Sequence, residues 1–178
     1  MNTPNILTML RILSIPFFII CLIYGRPFIA LLIFIGAGIT DGLDGLIARV
    51  CRQRTPIGQY LDPIADKLML SSAFIVLAVL GMIPSWLTVI VIARDVMIVL
   101  GILILFLVSH RVAIKPLFIS KTATCFQIGT IMWVLLAPYS PLLKSVLPYI
   151  LWMTAILTFI TGLLYIYIGT KYFNEHGG

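Results

Sequence analysis

The sequence predicts an all-α integral membrane protein of six transmembrane helices, and three observations carry the prediction. The chain is 61% hydrophobic and only 10% charged, with a mean hydropathy of +1.15, whereas about a quarter of the residues of a soluble domain are charged. Polar or Pro/Gly breaks divide its 178 residues into apolar runs of roughly 20 residues, the length that crosses about 30 Å of hydrocarbon as a helix. These runs are apolar throughout, whereas barrel strands would alternate in polarity over about ten residues.

The six runs cover residues 5–24, 27–48, 57–81, 85–108, 117–137 and 146–170. The first carries Arg11 in its middle and no small-residue cleavage site after its apolar part, so it reads as mature helix and not as a signal peptide. The second ends, and the third begins, in the stretch TDGLDGLIARVCRQRTPIGQYLDPIADK at 40–67. The fourth holds the adjacent pair Arg94 and Asp95. The fifth holds Lys121 and Gln127, and the sixth closes the chain. No segment resembles a soluble domain or a long linker, and no repeat is visible, so residues 1–178 read as one membrane domain.

Lys and Arg set the orientation. Arg52 and Arg54 fall between the second and third runs, Arg111 and Lys115 between the fourth and fifth, and Lys171 after the sixth; the opposite side has Arg26 and Lys144. The positive excess marks the cytoplasmic side, which therefore receives both termini and the acidic stretch, as in a bacterial inner-membrane protein. The net charge of +6 suits anionic membrane lipids. Nucleic acid is a poor partner, because the cations are dispersed over helix ends and form no stripe. Cys21, Cys51 and Cys125 have no metal-type spacing and read as ordinary thiols. His110 and His176 lie near predicted ends, which argues against a histidine-based metal site or triad.

Of six acidic residues in the chain, four (Asp41, Asp44, Asp62 and Asp66) sit within 26 residues. On helices Asp41 and Asp44 share a face, as do Asp62 and Asp66. The short basic connection makes the two helices antiparallel neighbours, so the acidic faces converge. Bare carboxylates in a low-dielectric region cost several kcal/mol each, so a cation must offset them. All-oxygen ligation with no nearby His or Cys selects Mg²⁺ or Mn²⁺, and four ligands with room for a phosphate suit a site for two ions. Gly45 and Gly58 lie one turn from Asp41 and Asp62, where a glycine weakens the helix by about 1 kcal/mol but admits a close ligand or backbone. Ala48 keeps that face shallow, and Arg49 offers planar donors to a phosphate oxygen. Together these residues describe a pyrophosphate cradle. Taken singly, each acid also fits a structural ion network with Arg49, Arg52, Arg54 and Lys67; the spacing as a whole argues against that.

The pattern Asp41-x2-Asp44-Gly45-x2-Ala48-Arg49-x8-Gly58-x3-Asp62-x3-Asp66 closely resembles the CDP-alcohol phosphotransferase family at all eight positions. The likeness runs over essentially the whole chain: the opening PNILTMLRILSIP is similar to the start of the family's phosphatidylglycerophosphate synthases and of its CDP-diacylglycerol-using cardiolipin synthases. The resemblance implies a six-helix, homodimeric membrane enzyme of phospholipid synthesis, transferring the phosphatidyl group of CDP-diacylglycerol to an alcohol with release of CMP. It implies Asp41, Asp44 and Asp62 as metal ligands, with Asp66 as general base and further ligand. It also implies that Asp41, Gly45, Ala48, Arg49 and Gly58 bind the nucleotide. Asn5 and Thr8, at i,i+3 in the first run, are placed to add polar contacts to the nucleotide or to serve at the membrane interface. Arg11, one turn further, reads as meeting headgroup phosphate or as snorkelling.

For the acceptor, Arg94, Arg111, Lys115 and Lys121 are the candidate residues, since an ionisable group within a span is functional by default; Arg94 with Asp95 also reads as a structural pair. Phosphatidylglycerophosphate synthases resemble this chain but carry a second arginine two turns after the first, where Ile102 stands here. ARDVM and KPLFISKTATCFQ look more like cardiolipin synthases. The reading therefore favours phosphatidylglycerol as acceptor by a narrow margin, with glycerol 3-phosphate as the alternative. An ion transporter could also bury the acids, but that role does not ask for Ala48-Arg49 and Gly58 at these spacings.

Overall fold

A computed structural model describes residues 3–50, 56–108 and 118–176, with side chains over 9–40, 65–101 and 120–170. Its described residues form six α-helices: α1 (Thr3–Ile23), α2 (Pro27–Val50), α3 (Pro56–Val79), α4 (Ser85–Val108), α5 (Phe118–Leu136) and α6 (Pro141–His176), with one 3₁₀ turn at Ala137–Tyr139 before α6. Each expected run is a helix, and no strand occurs among the described residues. Among the described residues two segments, Ser120–Tyr139 and Pro141–Thr170, are long and apolar enough to cross a membrane, and shorter apolar helices cover Met9–Ile23 and Pro27–Thr40. This is a membrane protein.

The largest departure from the expected boundaries is at α6, which starts five residues before the apolar run. Ser140 is extended and its carbonyl accepts from the Lys144 amide at 3.2 Å, while Pro141 takes the first helical position, where its missing N–H is no loss. Trp133 Nε1 donates to the Leu143 carbonyl at 2.9 Å and ties this first turn to α5. The polar Lys144 and Ser145 thus belong to the helix and not to the connection.

Two tight connections end in the same motif. Gly25 has φ +65° and Gly81 φ +69°. The Gly25 amide donates to the Leu22 carbonyl and the Arg26 amide to the Cys21 carbonyl. Likewise Gly81 donates to Ala78 and Met82 to Leu77. These are Schellman caps, which satisfy the last carbonyls of α1 and α3 and require a residue free to adopt the left-handed region.

The apolar core lies in the half of the bundle next to these caps. Phe18, Phe34, Phe74, Leu77, Leu87, Val91, Ile131 and Leu135 are buried together, with the Phe18 and Phe34 rings 5.9 Å apart. Exposed aromatics ring the same half. Trp86 packs against Trp152 with the rings tilted and 5.0 Å apart, and Phe28 meets Tyr139 edge-on at 6.0 Å; Trp and Tyr are the amphipathic rings enriched at membrane–water interfaces. Buried hydroxyls and one amide join α5 to α6: Thr130 Oγ1 lies 2.6 Å from Thr154 Oγ1, and Gln127 Nε2 donates to Thr158 Oγ1 at 3.2 Å. Without a hydrophobic driving force between helices in lipid, such bonds and close packing hold the pair.

Placing a Cβ in the left-handed region costs roughly 1–2 kcal/mol. Gly81→Ala is expected to lower stability by about that amount, read as a fall in melting temperature of the detergent-solubilised protein; an unchanged melting temperature would mean that the α3–α4 turn is not built this way.

Candidate functional site

The other half of the bundle carries the buried charged groups Arg11, Arg94 and Asp95. Asp66 stands on α3 next to the fully buried Ala65. Arg11, from the middle of α1, is 2% exposed and its Nη1 donates to Asp66 Oδ1 at 3.0 Å; the aspartate side chain is 45% exposed. Arg11 does not snorkel, one of the two roles its place in the sequence suggested. Its guanidinium is buried against the fourth acid of the stretch, because α1 packs against both α2 and α3.

Arg11 and Asp66 border a cavity of about 340 Å³ between α1, α2, α3 and α5, whose wall is otherwise mostly apolar, with Phe34, Gly38, Met69 and Met132, and includes the Thr124 hydroxyl of α5. Among the described residues α2 and α3 both line this space, with α1 packed on both; the ends of α2 and α3 whose acidic faces the sequence expects to converge lie outside the described side chains. The cavity is open to a ligand.

On the next residue of α3 a second ionic chain begins. Lys67 Nζ lies 3.3 Å from Asp95 Oδ1 on α4, and the same oxygen accepts from Arg94 Nη1 at 2.6 Å. Arg94 Nη2 continues to Ser120 on α5, bonding its Oγ at 2.5 Å and its carbonyl at 3.5 Å. Arg94 and Asp95 are 4% and 8% exposed. Arg94 Nε is buried with no hydrogen-bond partner, so the guanidinium is held by two of its three nitrogens. On α6, Gly162 lies beside the Arg94 stem: a Cβ there would meet Arg94 Cγ at 3.7 Å, an ordinary van der Waals contact. Lys121, next to Ser120, is exposed.

The remaining predicted residues are placed by their helices alone. Asp41, Asp44, Gly45, Ala48 and Arg49 belong to the last turns of α2, Gly58 and Asp62 to the first turns of α3, and Asn5 and Thr8 to the first turns of α1; their side chains lie outside the described residues. Arg111 and Lys115 lie outside them altogether. No cluster of three or more metal-ligating side chains occurs among the described residues. Asp66 itself suits a hard divalent ion. It is a half-exposed oxygen donor at the edge of a cavity, and a carboxylate has about four acceptor directions, so the Arg11 bond does not exclude a cation.

Sequence reasoning singled out Arg11, Lys67, Arg94 and Asp95 but missed two of their partners, Asp66 for Arg11 and Asp95 for Lys67, and it missed Ser120. The available signal was that a charge inside an apolar run needs an opposite charge at the same depth.

Comparison with known proteins gives the chain a family. The family profile described as CDP-alcohol phosphatidyltransferase matches residues 1–160. A "Probable phosphatidylglycerophosphate synthase" of Mycobacterium tuberculosis is 34% identical over 93% of this chain and 80% of its own. A "CDP-diacylglycerol–glycerol-3-phosphate 3-phosphatidyltransferase" of Rickettsia bellii is 34% identical over 97% of both chains. The human "Cardiolipin synthase (CMP-forming)" is 35% identical over 94% of this chain, which spans 62% of the human protein.

Removing one partner of a buried ion pair is strongly destabilising, by about 3–5 kcal/mol, whereas exposed substitutions stay within about 0.5 kcal/mol. Arg94→Met should therefore lower the melting temperature markedly and Lys121→Met hardly at all; equal effects would contradict the buried α4–α5 link.

Proposed function

Because the chain belongs to the CDP-alcohol phosphatidyltransferase family, an enzyme family of phospholipid synthesis, we propose that it moves the phosphatidyl group of CDP-diacylglycerol to a glycerol-containing acceptor, with phosphatidylglycerol favoured, and releases CMP. The observation that carries the reading is Asp66, the last acid of the eight-position motif, standing half-exposed at the edge of the inter-helix cavity and gripped by a buried arginine. A cavity with one charged edge and apolar walls suits a molecule that is a phosphate at one end and lipid at the other.

In this mechanism Asp41, Asp44, Asp62 and Asp66 would hold two Mg²⁺ or Mn²⁺ ions, which when bound would supply positive charge to offset the diphosphate and the departing CMP. Gly45, Ala48 and Gly58 leave room for the nucleotide, with Asp41, Asn5 and Thr8 adding polar contacts. Arg49 binds a phosphate oxygen. Asp66 accepts the proton of the acceptor hydroxyl as its oxygen attacks the lipid-side phosphorus; the bond from that phosphorus to the CMP oxygen breaks, and CMP leaves with the bonding pair. Arg11 fixes the carboxylate that takes the proton, so no reorientation is needed at the moment of transfer.

The acceptor is met by Arg94, Arg111, Lys115 and Lys121. Phosphatidylglycerol is favoured because Ile102 stands where a second arginine would help hold a dianionic phosphate, and because ARDVM and KPLFISKTATCFQ resemble cardiolipin synthases. Glycerol 3-phosphate is the second reading, supported by the full-length likeness to the Rickettsia bellii protein. In this reading the enzyme is a homodimer with six spans in a bacterial inner membrane, and the distribution of Lys and Arg supports an active site and both termini at the cytoplasmic face.

Purified protein in detergent should release CMP from CDP-diacylglycerol only when Mg²⁺ or Mn²⁺ and an acceptor are both present, and Asp62→Asn should abolish release while the protein stays folded. Release in the presence of a chelator, or normal turnover by Asp62→Asn, would contradict the metal assignment. Supplying the two acceptors separately and identifying the lipid product decides between them: cardiolipin is expected, and consumption of glycerol 3-phosphate alone would overturn the preference.

A further inference from the structure

Two consecutive residues of α3 are held by opposite charges from two different helices. Asp66 is bound by Arg11 of α1, and Lys67 by Asp95 of α4. Neighbouring side chains on a helix diverge by about 100°, so the two ties pull on α3 in different directions. One tie would permit rotation about the helix axis; the pair opposes it in both senses. Asp95 is the fixed point of the second tie. It is buried, and the oxygen that receives Lys67 also receives Arg94, which is anchored in turn to Ser120 of α5. The chain Lys67–Asp95–Arg94–Ser120 therefore runs from α3 through α4 to α5 at the depth of the acid that faces the cavity.

Rotation of α3 has a direct consequence for the chemistry. A carboxylate about 6 Å from the helix axis moves by about 1 Å for each 10° of turn, and an error of that size in a reacting group can reduce a rate by about 100-fold. Asp62 lies one turn earlier on the same helix and would move with Asp66. We propose that Asp95, acting through Lys67, is a positioning residue that sets the rotation of α3 and so the aim of Asp66. It touches neither substrate nor ion. This inference rests on the transfer reaction proposed above, in which Asp66 takes the acceptor's proton.

The test uses the full-length protein in detergent as wild type, Lys67→Met, Asp95→Asn and the double variant, with Lys67→Arg as the conservative control. CMP release is followed as CDP-diacylglycerol and acceptor are varied. Each single variant should lower kcat at least tenfold with both KM values within threefold of wild type. The double variant should fall no more than threefold below the slower single, since both substitutions break the same tie. Lys67→Arg, which keeps a cation within reach of Asp95, should recover kcat to within threefold. Should Asp95→Asn fail to fold because Arg94 loses its counterion, Lys67→Met carries the test, as it leaves the Arg94–Asp95 pair intact. The proposal is overturned if the single variants keep kcat within threefold of wild type, if their losses multiply in the double variant, or if the acceptor KM rises tenfold at unchanged kcat, which would mean direct contact with the acceptor. A wild-type protein that releases no CMP defeats the transfer reading itself, and the positioning role with it; an active wild type with unaffected variants defeats the positioning role alone.

Discussion

Charge in a low-dielectric medium must be matched where it stands, and this constraint organises the half of the bundle that bears the site. Five ionisable groups from three helices meet there in two ties: Arg11 with Asp66, and Lys67 and Arg94 with Asp95. A carboxylate or guanidinium left bare at this depth would cost several kcal/mol, more than most packing differences in the bundle could offset. The mutual positions of α1, α3, α4 and α5 follow from satisfying these groups, while the apolar core in the opposite half fixes the helices at their other ends. The molecule is thus divided into a half that specifies packing and a half that specifies charge.

That division also suits a lipid substrate. The cavity has its charged edge at Arg11 and Asp66 and is otherwise walled mainly by apolar side chains of α2, α3 and α5, so polar and apolar parts of one molecule can each find a matching surface. Arg94 illustrates the compromise: two of its nitrogens bond Asp95 and Ser120 while Nε stays buried without a hydrogen bond. A guanidinium so placed is both a structural link and a reserve of donors close to the site.

Much of this was legible in the sequence. The six helices followed from run length and hydropathy alone, because lipid demands that each spanning backbone satisfy its own hydrogen bonds. The start of α6 was misjudged because a hydropathy run cannot see that Pro141 after the extended Ser140 begins a helix before the apolar residues do. The acidic stretch stood out by its spacing, and of its four acids Asp66 is the one whose side chain is described, at the edge of the cavity. The partners were not legible. That Arg11 must be matched followed from its place in an apolar run, but that Asp66 matches it depends on the rotation and depth of two helices fifty-five residues apart in sequence. Ser120 carried no signal, since a serine near a helix start is ordinary until a buried arginine is found against it.

The central claim is that carboxylates of α2 and α3 gather divalent cations beside the lipid's diphosphate. Counting Mn²⁺ bound per chain in detergent by electron paramagnetic resonance, in wild type and in Asp66→Asn, addresses it without reference to turnover. The account predicts two ions per wild-type chain and a weakened or missing ion in the variant. No Mn²⁺ bound by the wild type, or identical binding by both proteins, would contradict it.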